Sequence, residues 1–293
     1  LFRSREGAAL QMGGTIGYHT GWMLGLDDRD MRTATLTGMA AFFAALFGTP
    51  LAAAVFAMMV VSIGVVYDAA FIPCLTAALT AYGVSRMMGV EPTRFTVEAP
   101  GVLDLWLLVR VAVLAALCAL VSVLFCTVIH VVEHQMHRRL PNVWLRAAVG
   151  GVVVVGLEVI TAAVEQGSAH PAAFLLKLLF TAVTLAAGFR GGEVVPSFFV
   201  GATFGCVAGP LLGIDSGFAA AVGLVCVFCG AVNCPLASIL LAVELFGDGG
   251  LLYYALACGI SYVLSGYNGL YSSQTILYSK LKAQYINVHT NAY

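Results

Sequence analysis

Charge is scarce in this sequence. Only 10% of its 293 residues are Asp, Glu, Lys or Arg, while 60% are hydrophobic and the mean hydropathy is +0.94. Soluble domains carry roughly a quarter charged residues, so a chain this poor in charge is a polytopic membrane protein. The net charge is -1 and the basic residues form no patch, which excludes nucleic acid as a partner. The first residues do not show a signal-peptide pattern, in which a charged start leads into an apolar run with a small-residue cleavage site. No methionine stands at position 1, and L-F-R-S-R-E-G runs into helical sequence without a preceding loop. The expectation is a fragment whose first spans lie upstream. The eight cysteines sit singly in apolar runs, the pattern of small buried side chains and not of a disulfide framework.

What the chain has is apolar runs near the length of about 20 residues that a membrane helix needs. They predict helices over 4–26, a pair meeting at Gly48-Thr49-Pro50, then a helix or pair over 69–88, and helices over 103–139 with Pro141 as its stop, 144–164, 171–187, 195–212, 216–232, 235–246 and 251–264. The tail from Tyr267 is more polar and reads as helical in its last part. The fold class is all-α integral membrane, a single domain over 1–293. Arg138, Arg139 and Arg146 flank one loop and Lys280 and Lys282 lie in the tail, so the positive-inside tendency places both, and the C-terminus, in the cytoplasm.

One stretch organises the rest. In T-L-A-A-G-F-R-G-G-E-V-V-P-S-F-F, residues 184–199, an apolar run breaks at Gly188, admits Arg190 and Glu193, and resumes as a helix at Val195-Pro196. Proline suits a first helical turn because no amide hydrogen is needed there. The new helix therefore starts inside hydrophobic sequence with free N–H groups and a positive dipole end, which is a place to hold an anion.

The same design occurs twice. Gly13-Gly14-Thr15-Ile16-Gly17 and Gly201-Ala202-Thr203-Phe204-Gly205 share G-x-T-x-G at an offset of 188, each preceded by a glutamate, Glu6 or Glu193. Pro50-Leu51-Ala52 and Pro235-Leu236-Ala237 repeat at an offset of 185. Small-residue patterns also recur for packing alone, but two matches in one order at nearly one offset point to an internal repeat. Each half supplies one broken helix. If the halves are inverted, both helix N-termini point at a shared midplane site.

These residues carry a resemblance. G-F-R-G-G-E-V-V-P-S-F-F-V-G-A-T-F-G resembles the GxFxP segment opening helix N of the CLC chloride channel and transporter family, in the form of its bacterial, fluoride-exporter-like branch. S-R-E-G-A resembles that family's G-[KR]-E-G-P gating-glutamate motif, and Tyr271 in G-L-Y-S-S-Q stands where its pore tyrosine is expected. The resemblance covers helices F through R and implies a homodimer of inverted-repeat bundles with broken helices meeting at the midplane. It implies chloride or fluoride as the ion, with proton coupling or channel-like flow as alternative modes, in a bacterial plasma membrane and with no cofactor. Glu6 is then the gate and proton carrier, and Gly7, Glu193, Val194 and Tyr271 contact the anion. For Glu193 that contact is the backbone N–H, with its side chain capping the helix or pairing with Arg190. The helices after Pro50 and Pro235 resemble the family's dimer-interface helices.

The pattern departs from the family's in places. Ser4 and Ala8 replace Gly and Pro, V-V-P replaces F-x-P, and Val195 stands where some fluoride-type members have Thr. Where exchangers carry acidic residues at the end of the helix after Pro50, this chain has Met58, Met59 and Val60, so the inner proton glutamate is missing. That absence weighs against a chloride/proton exchanger.

A reading from another class is a zinc metalloprotease. His130, Glu133 and His134 match H-x-x-E-H, where two histidines one turn apart bind zinc and the Glu acts as base. The competing explanation is the solvated end of a long helix, beside Arg138 and Arg139, and no acidic third ligand accompanies the motif. Cys226-x-x-Cys229 lies in an apolar helix without a second pair and reads as packing.

Overall fold

Short polar signals start several helices in otherwise apolar sequence. Asp27 accepts from the Arg29 and Asp30 amides, Asp104 from Trp106, and Asp215 from Phe218, each at 2.9 to 3.0 Å. These carboxylates satisfy amides that a helix start leaves open and favour its positive end. The computed structural model describes residues 6–98, 104–151, 172–189, 191–282 and 284–291, without the side chains of 6–8. Its labelled helices are α1 Glu6–Met23, α2 Asp28–Phe47, α3 Pro50–Met59, α4 Phe71–Met87, α5 Leu105–Arg139, α6 Ala173–Ala186, α7 Val194–Leu211, α8 Ser216–Val232, α9 Pro235–Phe246 and α10 Leu251–Leu264. Residues 143–151 are helical too, and the rest of the helix expected over 144–164 lies outside the described residues.

Among the described residues three helices are long and apolar enough to cross a membrane: α5, α7, and α4 taken with the 3-10 turn Asp68–Ala70 before it. Most of the others are apolar but only 10 to 17 residues long. Short apolar helices belong to folds whose chain breaks inside the hydrophobic layer, where protein and not lipid satisfies the freed backbone.

The repeat read from sequence is present in backbone geometry. Gly48 adopts the left-handed region (φ 72°, ψ 26°), Thr49 follows at φ -123°, ψ 75°, and Pro50 starts α3. In the second half Asn233 (φ 58°, ψ 33°), Cys234 (φ -120°, ψ 73°) and Pro235 do the same at the start of α9. Gly and Asn are the residues that reach this region most cheaply. Each copy runs helix, helix, helix, 3-10 turn, helix, the second turn being Asp248–Gly250.

The glycines show why the G-x-T-x-G pattern is needed. A methyl group added at Gly13 would stand 2.4 Å from the Gly38 carbonyl, and one at Gly17 2.2 Å from that of Ala34. In the second copy the corresponding distances are 2.3 Å from Gly201 to the Gly223 carbonyl and 2.2 Å from Gly205 to that of Ala219. Gly38 and Gly223, and Ala34 and Ala219, are again related by an offset of 185. Both halves thus pack their first two helices backbone on backbone, as small residues permit in membrane proteins. Aromatic rings join the halves: Phe198 packs on Phe47 at 5.8 Å and on Phe228 at 4.9 Å, and Phe228 on Phe56 at 5.8 Å between centroids. The broken-helix elements α1 and α7 are in contact.

The tail departs from the helical expectation. Ser62–Ile63 (β1) pairs in parallel with Thr275–Tyr278 (β2), which pairs antiparallel with Tyr285–His289 (β3). The segments T-I-L-Y and Y-I-N-V-H are rich in β-branched and aromatic residues, which favour strands, and β1 offers a ready edge just past α3. Ile276 is fully buried there, so the small sheet is anchored to the bundle.

Candidate functional site

α7 starts at Val194, one residue before the expected position, and the Ser197 amide is the first to bond back, to the Glu193 carbonyl at 3.2 Å. Pro196 has no amide, so the Val194 and Val195 amides are left without an intrahelical acceptor at the helix's positive end. Glu193 does not cap the helix: its side chain makes no capping hydrogen bond, and its Oε2 is buried with no partner. This corrects the capping assignment, while Arg190, the other partner named for it, lies outside the described residues. A carboxyl oxygen in that position faces either a proton or something that enters the site.

Tyr271 comes to the same place from the other end of the chain. Its phenol is close enough to Glu193 to feel that carboxyl, and burial first, then Glu193 and Cys234, push the phenol far above its ordinary range. It therefore remains an O–H donor at any physiological pH. The loop that carries it is tied down at several points. Leu270 N donates to the Ala231 carbonyl at the end of α8 (2.9 Å), and Thr290 Oγ1 donates to the Tyr271 carbonyl (2.6 Å). Asn291 brackets Gly269, accepting from its amide at 3.1 Å and donating to its carbonyl at 2.9 Å. Gln274 is buried and its Nε2 donates to both Val60 and Val232, each at 2.9 Å. One amide thus joins the C-terminal ends of α3 and α8.

Glu6 and Gly7 are the first described residues of α1, on the helix that packs against α2 as the Val194 helix packs against α8. The H-x-x-E-H residues serve another purpose: His130 Nε2 stands 2.9 Å from the Gly269 carbonyl and 3.0 Å from Asn291 Nδ2. Among the described residues no group of three His, Cys, Asp or Glu is arranged to hold a metal. Seven of the eight cysteines are buried, and Cys229 Sγ donates to the Cys258 carbonyl at 3.4 Å, a packing role. Lys280 is not the solvated tail cation that the charge count assumed. It donates to Asn233 Oδ1, the Tyr262 carbonyl and Ser265 Oγ inside the fold, and Arg146 is likewise buried.

The supports of the tyrosine loop, His130, Gln274, Asn233, Thr290 and Asn291, were not singled out as such in the sequence. Gln274 and His130 lay within quoted motifs but for other reasons, and all five gain their meaning from contacts between elements that the sequence does not pair.

Comparison with known proteins agrees with this geometry. Residues 2–266 match the family model described as voltage gated chloride channel. A relative named chloride/fluoride channel protein, from Pseudomonas syringae pv. tomato, is 36% identical over 94% of this chain and 65% of its own length. The H(+)/Cl(-) exchange transporter ClcA of Vibrio parahaemolyticus is 27% identical over 82% of this chain and 58% of its own. The chain thus spans less than two thirds of the length of the curated relatives it matches. The crystal structure of a CLC-type fluoride/proton antiporter superposes with a TM-score of 0.87 at 31% identity, covering 94% of this chain and 73% of that one. The chain is an integral membrane protein and belongs to the voltage gated chloride channel (CLC) family.

Proposed function

We propose that this protein moves a halide ion, fluoride in preference to chloride, across a bacterial plasma membrane in exchange for protons. The observation that carries the reading is the meeting of three things at the start of α7: the open Val194 and Val195 amides, the partnerless Glu193 oxygen and the Tyr271 phenol. Two donor types and a protonatable carboxyl converge there, which is what an anion that travels against a proton requires. Fluoride is favoured because the fluoride/proton antiporter, at 31% identity, is more similar than the chloride exchanger, at 27%, while the relative at 36% is named for both ions. Glu6 acts as the gate: ionised, its carboxylate competes for the anion position at the start of α1, and protonated it withdraws. Glu193 presents a second carboxyl to the same pathway, and Gly7 keeps the approach to the α1 amides free of a side chain.

The whole of 1–293 works as one membrane domain, paired with a second copy in a homodimer. Exposed apolar side chains on α4, among them Ile72 at 63% and Leu79 at 47%, support a face that meets lipid or that second copy. Cytoplasmic placement of the C-terminus rests on Arg138, Arg139 and Lys282, since Lys280 and Arg146 are buried inside. The reading is tested by loading liposomes that contain the full-length protein with fluoride or chloride and measuring anion efflux together with proton uptake. Fluoride efflux that drives protons inward supports it, and efflux of neither ion overturns it.

A further inference from the structure

Lys280 sits in the turn between β2 and β3, yet its side chain reaches back into the bundle. Nζ donates to Asn233 Oδ1, to the Tyr262 carbonyl at 2.9 Å and to Ser265 Oγ at 3.1 Å, and lies 4.3 Å from the centre of the Tyr262 ring. An ammonium group has three protons, so its donors are fully used. Every one of those partners is neutral, and no carboxylate pairs with the ammonium among the described residues. A buried cation is normally matched by an anion, because burial without one is costly. The groups that face it are thiols and phenols: Cys126 from α5, Cys229 from α8, Cys234 at the α8–α9 junction and Tyr262 from α10. The Tyr267 hydroxyl bonds the neighbouring Ser279.

Its surroundings lead to the ion site. Asn233 accepts from Lys280 and donates through Nδ2 to the Asn268 carbonyl at 2.9 Å, three residues ahead of Tyr271. Cys234 is near enough to act electrostatically on both Lys280 and Tyr271, and Cys126 on both Lys280 and Glu193. The cation therefore stands behind the wall that carries the tyrosine.

We propose that Lys280 is a positioning and selectivity-determining residue of the transport cycle: a fixed buried cation whose missing counter-charge is the passing anion. It does not touch the ion, since its protons are committed. It acts through its field, which in a medium of low dielectric falls off slowly, and through Asn233, whose amide it orients against the tyrosine loop. The inference rests on the anion-transport reading. Burial lowers the ammonium from the ordinary lysine range to about 8, so the charge is present at neutral pH and is withdrawn as the medium becomes moderately alkaline.

Two variants test it in the reconstituted full-length protein. Lys280→Gln removes the charge, and Asn233→Asp keeps the lysine but sets a carboxylate against it, cancelling the field with little change in shape. Both are expected to raise the fluoride concentration for half-maximal efflux by about tenfold. Wild-type efflux is expected to fall as pH rises through about 8, and in Asn233→Asp that fall moves to higher pH because the carboxylate holds the proton. A role confined to packing would not move the pH midpoint. Wild-type efflux with unchanged half-saturation and pH midpoint in Asn233→Asp overturns the proposal alone, even where Lys280→Gln fails to fold. Absence of efflux from the wild type overturns the transport reading and this inference together.

Discussion

His130 Nε2 stands 2.9 Å from the carbonyl oxygen of Gly269, two residues before Tyr271. α5 thereby holds the loop that presents the tyrosine, and Asn291 closes the same carbonyl from β3's side. A hydrogen bond of this kind contributes about 0.5 to 1.5 kcal/mol net, and more is lost when the abandoned carbonyl stays buried. His130→Ala should therefore lower the thermal midpoint in detergent and reduce anion efflux, whereas a zinc chelator should change neither. Loss of efflux on chelation, restored by zinc, would contradict the assignment.

Gly201 and Gly223 meet backbone to backbone, as do Gly13 and Gly38. Gly201→Ala and Gly38→Ala should each destabilise by about 1 to 3 kcal/mol, the usual cost of overpacking, because the obstacle is a carbonyl and not a flexible side chain. Thermal melts of the purified variants check this. Two unchanged melting points would show that the helices are not in that close contact.

The Tyr271 hydroxyl is a donor that ionisation does not remove. Tyr271→Phe keeps the ring and deletes one hydrogen bond to an ion, a term of about 1.5 to 3 kcal/mol. The fluoride concentration for half-maximal efflux should rise by about 10- to 100-fold, with the fold retained. An unchanged concentration dependence would remove Tyr271 from the pathway.

Much of the bundle was legible because a membrane helix is announced by composition. The glycine-proline junction at Gly48-Thr49-Pro50 and the stop at Pro141 are local signals, and the chain obeys them. The repeat was legible because backbone contact between helices restricts Gly13, Gly17, Gly201 and Gly205 to glycine. The strands of the tail were not legible. Thr275 to Tyr278 becomes a strand by pairing with Ser62 and Ile63, more than 200 residues away, and four polar-flanked residues carry no such message. Glu193 was found, but the capping role read for its side chain is absent, and only the three-dimensional surroundings show its oxygen without a donor. Lys280 was counted as a surface charge for the same reason: burial of a tail residue depends on what packs over it.

The carboxyls of Glu6 and Glu193 separate the account from its rivals, since the first is the proposed gate and the second has a partnerless oxygen and acts on Tyr271. Glutamine imitates a protonated glutamate in shape while holding no exchangeable charge. Glu6→Gln should leave anion flow that no longer depends on pH below the range in which Lys280 loses its proton, and Glu193→Gln should weaken proton coupling by about tenfold, an effect of about 1.4 kcal/mol, with its backbone contact intact.

The most direct measurement is fluoride efflux and proton uptake recorded together from liposomes across an imposed pH gradient, for the wild-type protein and Glu6→Gln side by side. The account predicts coupled movement in the wild type and uncoupled fluoride efflux in the variant, independent of pH below the range in which Lys280 loses its proton. Proton uptake that persists at the wild-type ratio in Glu6→Gln would contradict it.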